Sequence, residues 1–270
     1  MKLTDAQLAQ FHDEGYLFLP DWFGPDEVRV MKAEVPAIFA QRRPENVREK
    51  TGDVVRTAFA VHTYSDVFHR LVHHPQFLGP AEQMLGGQVY IHQFKINGKA
   101  AFDGDVWQWH QDYGTWAADD DMPEPHAMNL AVFLDEVTEF NGPLLFIPRS
   151  HRRGKLEAGH DLSTTSYPLW TIDHGTIARL ANEGGIVAPK GRPGAALFFH
   201  CNLVHGSAPN MSPWGREIVY VSLNRVDNAI RRFKRPDWIA HRDFAPLTAM
   251  GPDCLREVAA RASVATARGA

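Results

Sequence analysis

Two hydrophobic rhythms divide the chain. Up to about residue 88 the apolar positions recur at helical spacing: Leu8 and Phe11 follow Thr4-Asp5-Ala6-Gln7, in which Thr4 can cap a helix and Gln7 can close a capping box. Gly15 is placed to stop that helix. A second helix is predicted from Pro25, a residue suited to the first helical turn, with Val28, Met31 and Val35 on one face and a disturbance at Pro36. Further helical patterns fall near Ser65 to Leu71 and over Pro75 to Leu85, the latter closed by Gly86-Gly87. From about Val89 the rhythm changes to short apolar runs: Val89-Tyr90-Ile91, Ala131-Val132-Phe133-Leu134, Leu144-Leu145-Phe146-Ile147, Ala195 to Phe199 and Ile218-Val219-Tyr220-Val221. Asn141-Gly142-Pro143 and Gly191-Arg192-Pro193-Gly194 supply turns between them. Regularly spaced strands of this kind favour an antiparallel barrel or jelly roll over alternating β-α units. The expected organisation is one domain, with a mostly helical shell over 1–88, a jelly-roll core over 89–228 and a C-terminal extension over 229–270. The alanine-rich tail from Glu257 is expected as a fraying helix end.

Composition narrows the class of partner. With 44% hydrophobic and 22% charged residues, the chain has the make-up of a folded soluble protein. A net charge of −4 and a pI near 6.4 give no electrostatic case for nucleic acid or an anionic membrane surface. The one dense basic run, Arg231-Arg232-Phe233-Lys234-Arg235, reads as a solvated loop. Cys201 and Cys254 are too few for a disulfide framework or a cysteine-based zinc site and are expected as free thiols in a reducing cytoplasm. The opening Met1-Lys2-Leu3-Thr4-Asp5 lacks a signal-peptide apolar run, and no stretch approaches the ~20 apolar residues of a membrane span. A small-molecule substrate is the expected partner, with a homodimer left open.

His110-Gln111-Asp112 is a His-x-carboxylate pair, and on an extended segment its first and third residues would share a face. Spacing alone selects nothing, since His12-Asp13-Glu14 and His241-Arg242-Asp243 offer similar pairs. Context separates them: His12 lies in a helical pattern, where such residues diverge, and His241 has no later histidine to complete a triad. The His110 pair lies in the strand-rich part and is followed by His205. Two imidazoles and one carboxylate leave coordination positions open, the arrangement that suits non-haem Fe(II) oxygenases. Arg216 follows His205 across a Pro213-Trp214-Gly215 turn and can present a guanidinium fork to the distal carboxylate of 2-oxoglutarate.

With these residues in place, the sequence resembles the phytanoyl-CoA dioxygenase superfamily of Fe(II)/2-oxoglutarate oxygenases, and within it the ectoine hydroxylases. The likeness spans roughly Leu3 to Leu247. It rests on Gly15-Tyr16-Leu17, Tyr90-Ile91-His92-Gln93, Trp109 to Trp116, Asp121-Met122-Pro123, Asn141 to Leu144, Pro148-Arg149-Ser150-His151 and the block from His205 to Arg216. The resemblance implies a mainly β fold with flanking helices, a double-stranded β-helix of the jelly-roll, cupin-like kind. It also implies Fe(II) on His110, Asp112 and His205, with 2-oxoglutarate and O₂ as co-substrates. By position it places Lys95, Asn97, Asn129 and Arg216 around 2-oxoglutarate, and Gln93, Trp107, Trp116 and Phe199 around the substrate. The implied reaction hydroxylates an unactivated C–H of a small polar, amino-acid-like or zwitterionic metabolite and releases succinate and CO₂. An acyl-CoA or other natural-product hydroxylase, and a non-catalytic cupin-like metal-binding protein, are the competing readings. The chain departs from the ectoine-hydroxylase pattern at Trp107 (a Phe there), Gly114 (Glu), Ala117 (His) and Ile218 (Asn), which weakens the case for ectoine itself.

Overall fold

The computed structural model of the protein describes residues 2–50, 52–258 and 260; the tail from 261, expected as a fraying helix end, lies outside the described residues. Helix α1 (Asp5–Glu14) begins with the expected capping box, Thr4 Oγ1 accepting from the Gln7 N–H and Gln7 Oε1 from the Thr4 N–H at 2.9 Å. It stops at Gly15, whose φ of 84° is left-handed and whose absent Cβ would lie 2.4 Å from His151 Nδ1. Strand β1 (Tyr16–Leu19) follows, then α2 (Pro25–Ala40). This helix runs past Pro36, because its last turn buries Ile38 and the Asn46 Nδ2 donates to the carbonyls of Ile38 and Gln41 at 2.8 and 3.0 Å. Strands β2 (Asn46–Arg48) and β3 (Val55–Phe59) lead to α3 (Asp66–Val72) and α4 (Pro75–Leu85), which ends at the left-handed Gly86. The region expected as a helical shell therefore also contributes β1, β2 and β3 to the sheet. Their runs are three to five residues long, wholly apolar in β1 and buried throughout in β3, so no polar–apolar alternation marks them in the sequence.

The remainder is strand-rich: β4 (Val89–Lys99), β5 (Trp107–His110), α5 (Asp112–Asp120), β6 (Ala127–Phe133), β7 (Leu144–Phe146), β8 (Gly159–Asp161), β9 (Leu169–Thr171), α6 (His174–Gly184), β10 (Ala196–His200), β11 (His205–Ser207) and β12 (Arg216–Arg225). A seven-stranded antiparallel sheet has the order β1-β10-β6-β12-β4-β3-β2, a second sheet the order β5-β11-β7, and β8 pairs with β9. The long apolar runs are explained by burial on both faces of the large sheet. Leu130, Val132, Val219 and Val221 pack toward the helices, while Ala131, Phe133, Ile218 and Tyr220 pack inward with Leu144 and Phe146 of the small sheet. Each such large side chain contributes about 1.5–3 kcal/mol of burial free energy. This is the expected mainly β jelly roll with flanking helices, its two sheets facing one another without joining edges. No helix among the described residues is long and apolar enough to cross a membrane, and Cys201 and Cys254 are buried free thiols.

The basic run after β12 differs from the solvated loop expected. Arg231 to Lys234 are exposed, but Arg235 turns inward, its side chain 11% exposed against the fully buried Asp120. A carboxylate at that depth requires a countercharge, and the extension supplies it. The same extension then runs beside β4, with the His241 N–H donating to the His92 carbonyl and the Leu247 N–H to that of Val89, both at 2.9 Å.

Two partly buried histidines, His200 and His241, add to the acid sensitivity of stability. Burial, reinforced by His151 for His200 and by His92 for His241, pushes each pKa down to about 4. His200 Nδ1 also accepts the Asn202 N–H at 3.0 Å, a role only the unprotonated nitrogen can fill. The folded pKa lies below the ordinary value of 6.5, so the unfolded chain takes up the protons first. Stability from these groups is complete above about pH 6.5 and declines as the pH falls toward 4, by about 1.4 kcal/mol per pH unit for each group. Thermal unfolding of the metal-free protein between pH 7 and 4.5 should show this slope. His200→Asn, which keeps an acceptor for Asn202, should remove one proton's worth of it; an unchanged slope contradicts the assignment.

Candidate active site

His110 ends β5 and His205 begins β11, and the two are direct cross-strand partners in the small sheet. Directly opposed residues in an antiparallel pair project to the same side, so the pairing brings together imidazoles far apart in sequence, their ring centroids 4.1 Å apart. Asp112 arrives differently from the extended placement expected of it. It is the first residue of α5, and Gln111, in extended conformation, is the hinge between strand and helix. Gln111 is locked there: its Nε2 donates to the carbonyls of Gly154 (2.9 Å) and Asn202 (2.6 Å), and its Oε1 accepts from the Leu156 N–H (2.8 Å). One ligand atom from each of His110, Asp112 and His205 lies within 4.8 Å of the others.

The surroundings of these three residues select which atoms face the centre. His110 Nδ1 lies 2.6 Å from the Gln108 carbonyl and His205 Nδ1 2.9 Å from that of Leu203. Carbonyl oxygens only accept, so both Nδ1 atoms carry the hydrogen and both Nε2 atoms turn toward Asp112, at 3.7 and 3.6 Å. Burial, then His110, pushes the His205 pKa down to about 3, so its approach to Asp112 is not an ion pair. Burial by itself would raise Asp112, but His205, His110 and Lys95 hold its carboxyl well below the usual carboxylate range. Asp112 Oδ2 accepts from Asn129 Nδ2 at 2.7 Å, and Asn129 Oδ1 in turn accepts from Ser222 Oγ at 2.6 Å, which fixes the carboxylate. An ionised carboxylate and two imidazole nitrogens aimed at one point fit a divalent first-row metal ion.

The three residues stand in one small cavity between the sheets. The large sheet contributes Lys95, Asn97, Asn129, Phe199, Arg216 and Tyr220, and the small sheet Trp107, Leu144 and Ser207 beside the histidines. Arg216 is 2% exposed, with Nε donating to the carbonyls of Asn141 and Gly142, Nη2 to that of Gly142, and Tyr220 alongside. Gly142 itself has a left-handed φ of 70°, and a Cβ there would sit 2.6 Å from the Ala208 carbonyl oxygen. Asn97 Oδ1 accepts from Thr57 Oγ1 at 2.9 Å. Burial lowers the pKa of Lys95, an effect opposed by Asp112 and assisted by Arg235. Gln93 and Trp116 do not line this small cavity: Gln93 Nε2 donates to the Ile239 carbonyl at 3.1 Å, and Trp116 packs on His92, ring centroids 4.8 Å apart. Tyr220, Ser207, Leu144 and Gln111 are cavity or hinge residues absent from the sequence expectation. Of these Tyr220 was accessible from spacing, lying two positions beyond Ile218 on the face of Arg216.

Comparison with known proteins bears directly on this geometry. Residues 11–218 match the phytanoyl-CoA dioxygenase family. The chain belongs to that family. It is 35% identical over 263 residues to an L-proline trans-4-hydroxylase of Streptomyces griseoviridis, covering 94% of this chain and 98% of that one. It is 36% identical over 266 residues to an ectoine dioxygenase of Halomonas elongata, covering 93% of this chain and 79% of the relative. The crystal structure of EctD from S. alaskensis with 2-oxoglutarate and 5-hydroxyectoine superposes with a TM-score of 0.82 at 34% identity, covering 93% of this chain and 88% of that one. EctD with bound Fe gives the same TM-score of 0.82. This family member is an iron(II)- and 2-oxoglutarate-dependent dioxygenase, in agreement with the motifs of its sequence.

Proposed function

We propose that the protein hydroxylates a small zwitterionic amino acid, a cyclic imino acid in preference to ectoine, with His110, Asp112 and His205 holding iron(II) and Arg216 receiving the far carboxylate of 2-oxoglutarate. The observation that carries this reading is the shared cavity: a two-histidine, one-carboxylate centre and a buried guanidinium line the same small space. Bound iron supplies the oxidising chemistry, in which 2-oxoglutarate and O₂ are spent, succinate and CO₂ are released and one oxygen atom enters a C–H bond. The chain's own residues bind, orient and exclude water. Lys95 and Arg216 outnumber the single carboxylate of Asp112 in the lining, so the cavity favours anionic ligands. Phe199 and Leu144 give it apolar lining, and Trp107 forms an aromatic wall beside Lys95. Lys95 and Asn97, neighbours on one face of β4, join Arg216 in holding the co-substrate.

The preference for an imino acid rests on two features. The L-proline trans-4-hydroxylase is as similar to this chain as the Halomonas ectoine dioxygenase is, 35% and 36% identical over 94% and 93% of this chain. It also lacks polar side chains of the ectoine-hydroxylase pattern, having Gly114, with open space where a Cβ would stand, Ala117 and the buried Ile218. The two buried thiols agree with a reducing cytoplasm, and size-exclusion chromatography tests the homodimer. Anaerobic titration with Fe(II) and 2-oxoglutarate should give the visible charge-transfer band of a chelate, followed by succinate release stimulated by L-proline or a related imino acid more than by ectoine. Stimulation by acyl-CoA alone would reject the substrate class, and absence of the band would favour a metal-binding protein without this chemistry.

A further inference from the structure

The β2–β3 ladder slips by one residue: Val47 pairs with Thr57, but Arg48 pairs with Val55. Arg56 is thereby an extra residue on β3, a β-bulge, and a bulge breaks strict alternation and re-aims the side chain it carries. Arg56 and Thr57 consequently both act on the cavity wall. Thr57 holds Asn97, and the Arg56 guanidinium carbon lies 4.0 Å from the centroid of the Trp107 ring. The Arg56 side chain is 1% exposed and doubly anchored, Nη1 donating to Glu49 Oε2 at 3.0 Å and Nη2 to the Val106 carbonyl at 2.6 Å. Glu49 Oε1 accepts the Asp105 N–H at 3.2 Å, so one ion pair grips both residues that precede Trp107. Tyr167 packs near the same indole, ring centroids 5.7 Å apart. Burying an Arg–Glu pair costs desolvation that its attraction scarcely returns, so stability alone is a weak reason for it. Here the pair terminates on an indole that lines the iron cavity, three residues before His110.

We propose that Arg56 is a positioning residue for substrate selection: without touching the substrate, it clamps the 105–107 segment and holds the Trp107 ring as a rigid wall of the cavity. The inference rests on the reading of Trp107 as a substrate-facing residue given above. Lysine at position 56 keeps a charge for Glu49 but loses the planar stack and the fork that reaches Val106. Arg56→Lys is expected to raise KM for the organic substrate about tenfold and to increase succinate formed per molecule of product. KM for 2-oxoglutarate and the anaerobic Fe(II)/2-oxoglutarate band should not change. In a Trp107→Leu background, Arg56→Lys should have no further effect on substrate KM or coupling, because with the ring gone the clamp has no aromatic wall to hold. Equal effects in both backgrounds, or a parallel loss of 2-oxoglutarate binding, would overturn the proposal. Trp107→Leu leaves the Arg56–Glu49 pair intact and guards against a folding defect in the arginine variants. It should reproduce the Arg56→Lys phenotype, and unchanged substrate KM and coupling in this variant also overturn the proposal. A readout independent of turnover is the near-UV circular dichroism of the metal-free protein. The signal that Trp107→Phe subtracts from the wild type should be absent from Arg56→Lys; its full retention there counts against positioning even if no amino-acid substrate is turned over.

Discussion

Replacing Asp112 with alanine is expected to abolish retention of iron(II) and to lower substrate-dependent succinate formation by about a thousandfold or more. Asp112 supplies the only anionic donor of the three, and its carboxyl is held well below the usual carboxylate range, against the effect of burial, by His205, His110 and Lys95. Without it two imidazole nitrogens remain, and the buried Asn129 amide loses its acceptor at 2.7 Å. Fold loss is not the expected cause: the acidic group at the start of α5 contributes about 0.3–1 kcal/mol through the helix dipole. Far-UV circular dichroism should therefore be preserved while calorimetric iron binding disappears. Asn129→Leu provides a graded comparison. It leaves all three donors but frees the carboxylate to rotate, and loss of such an orienting partner weakens metal binding by about 10–100-fold. Full turnover in Asp112→Ala would place the metal centre elsewhere.

The contrast between Asp112 and its neighbours explains what was legible in the sequence. The clustering of His110, Asp112 and His205 was readable because a His-x-Asp pair and a later histidine both lie in strand-rich sequence, and the β5–β11 register makes His110 and His205 partners. The local conformation was not. Gln111 is a poor helix cap by residue type, and the turn into α5 depends on the carbonyls of Gly154 and Asn202 and the amide of Leu156, contacts no local spacing encodes. That turn also decides Trp116. One helical turn, about 6 Å, separates it from Asp112 and carries it into the cluster with Tyr113, Met122 and Ile230. Long-range charge was equally hidden: Arg235 reads as surface until Asp120 is known to be buried, and Arg56 carries no signal until the bulge and Glu49 are seen. The large-sheet strands β4, β6, β10 and β12 were legible because both faces of that sheet are buried and its runs stay apolar, whereas α5, α6 and the short strands β5, β8, β9 and β11 carry no such run. The strands β1, β2 and β3 were not, being three to five residues long.

Arg216→Ala is expected to raise KM for 2-oxoglutarate by about two to three orders of magnitude, with a smaller effect on kcat at saturating co-substrate. Truncating one partner of a buried, hydrogen-bonded charge pair costs about 2–5 kcal/mol, which sets that range. The arginine is 2% exposed, and its Nε and Nη2 are already committed to the carbonyls of Asn141 and Gly142, so the fork is preorganised before a ligand arrives. Arg216→Lys tests geometry against charge: a point ammonium restores attraction without the planar two-nitrogen grip and should recover only part of the loss. Lysine there would also face Lys99, its cross-strand partner, whose pKa is pushed down to about 6 by burial, then by Arg216 and Arg56. Removing the guanidinium relieves one of those repulsions, so Arg216→Ala should raise the Lys99 pKa, a change readable by NMR in metal-free protein. The competing anchor is Lys95, which reaches the same cavity from β4. If Arg216→Ala leaves KM for 2-oxoglutarate unchanged while Lys95→Met raises it, the far carboxylate lies against Lys95, and the assignment of Arg216 fails even though the iron site stands.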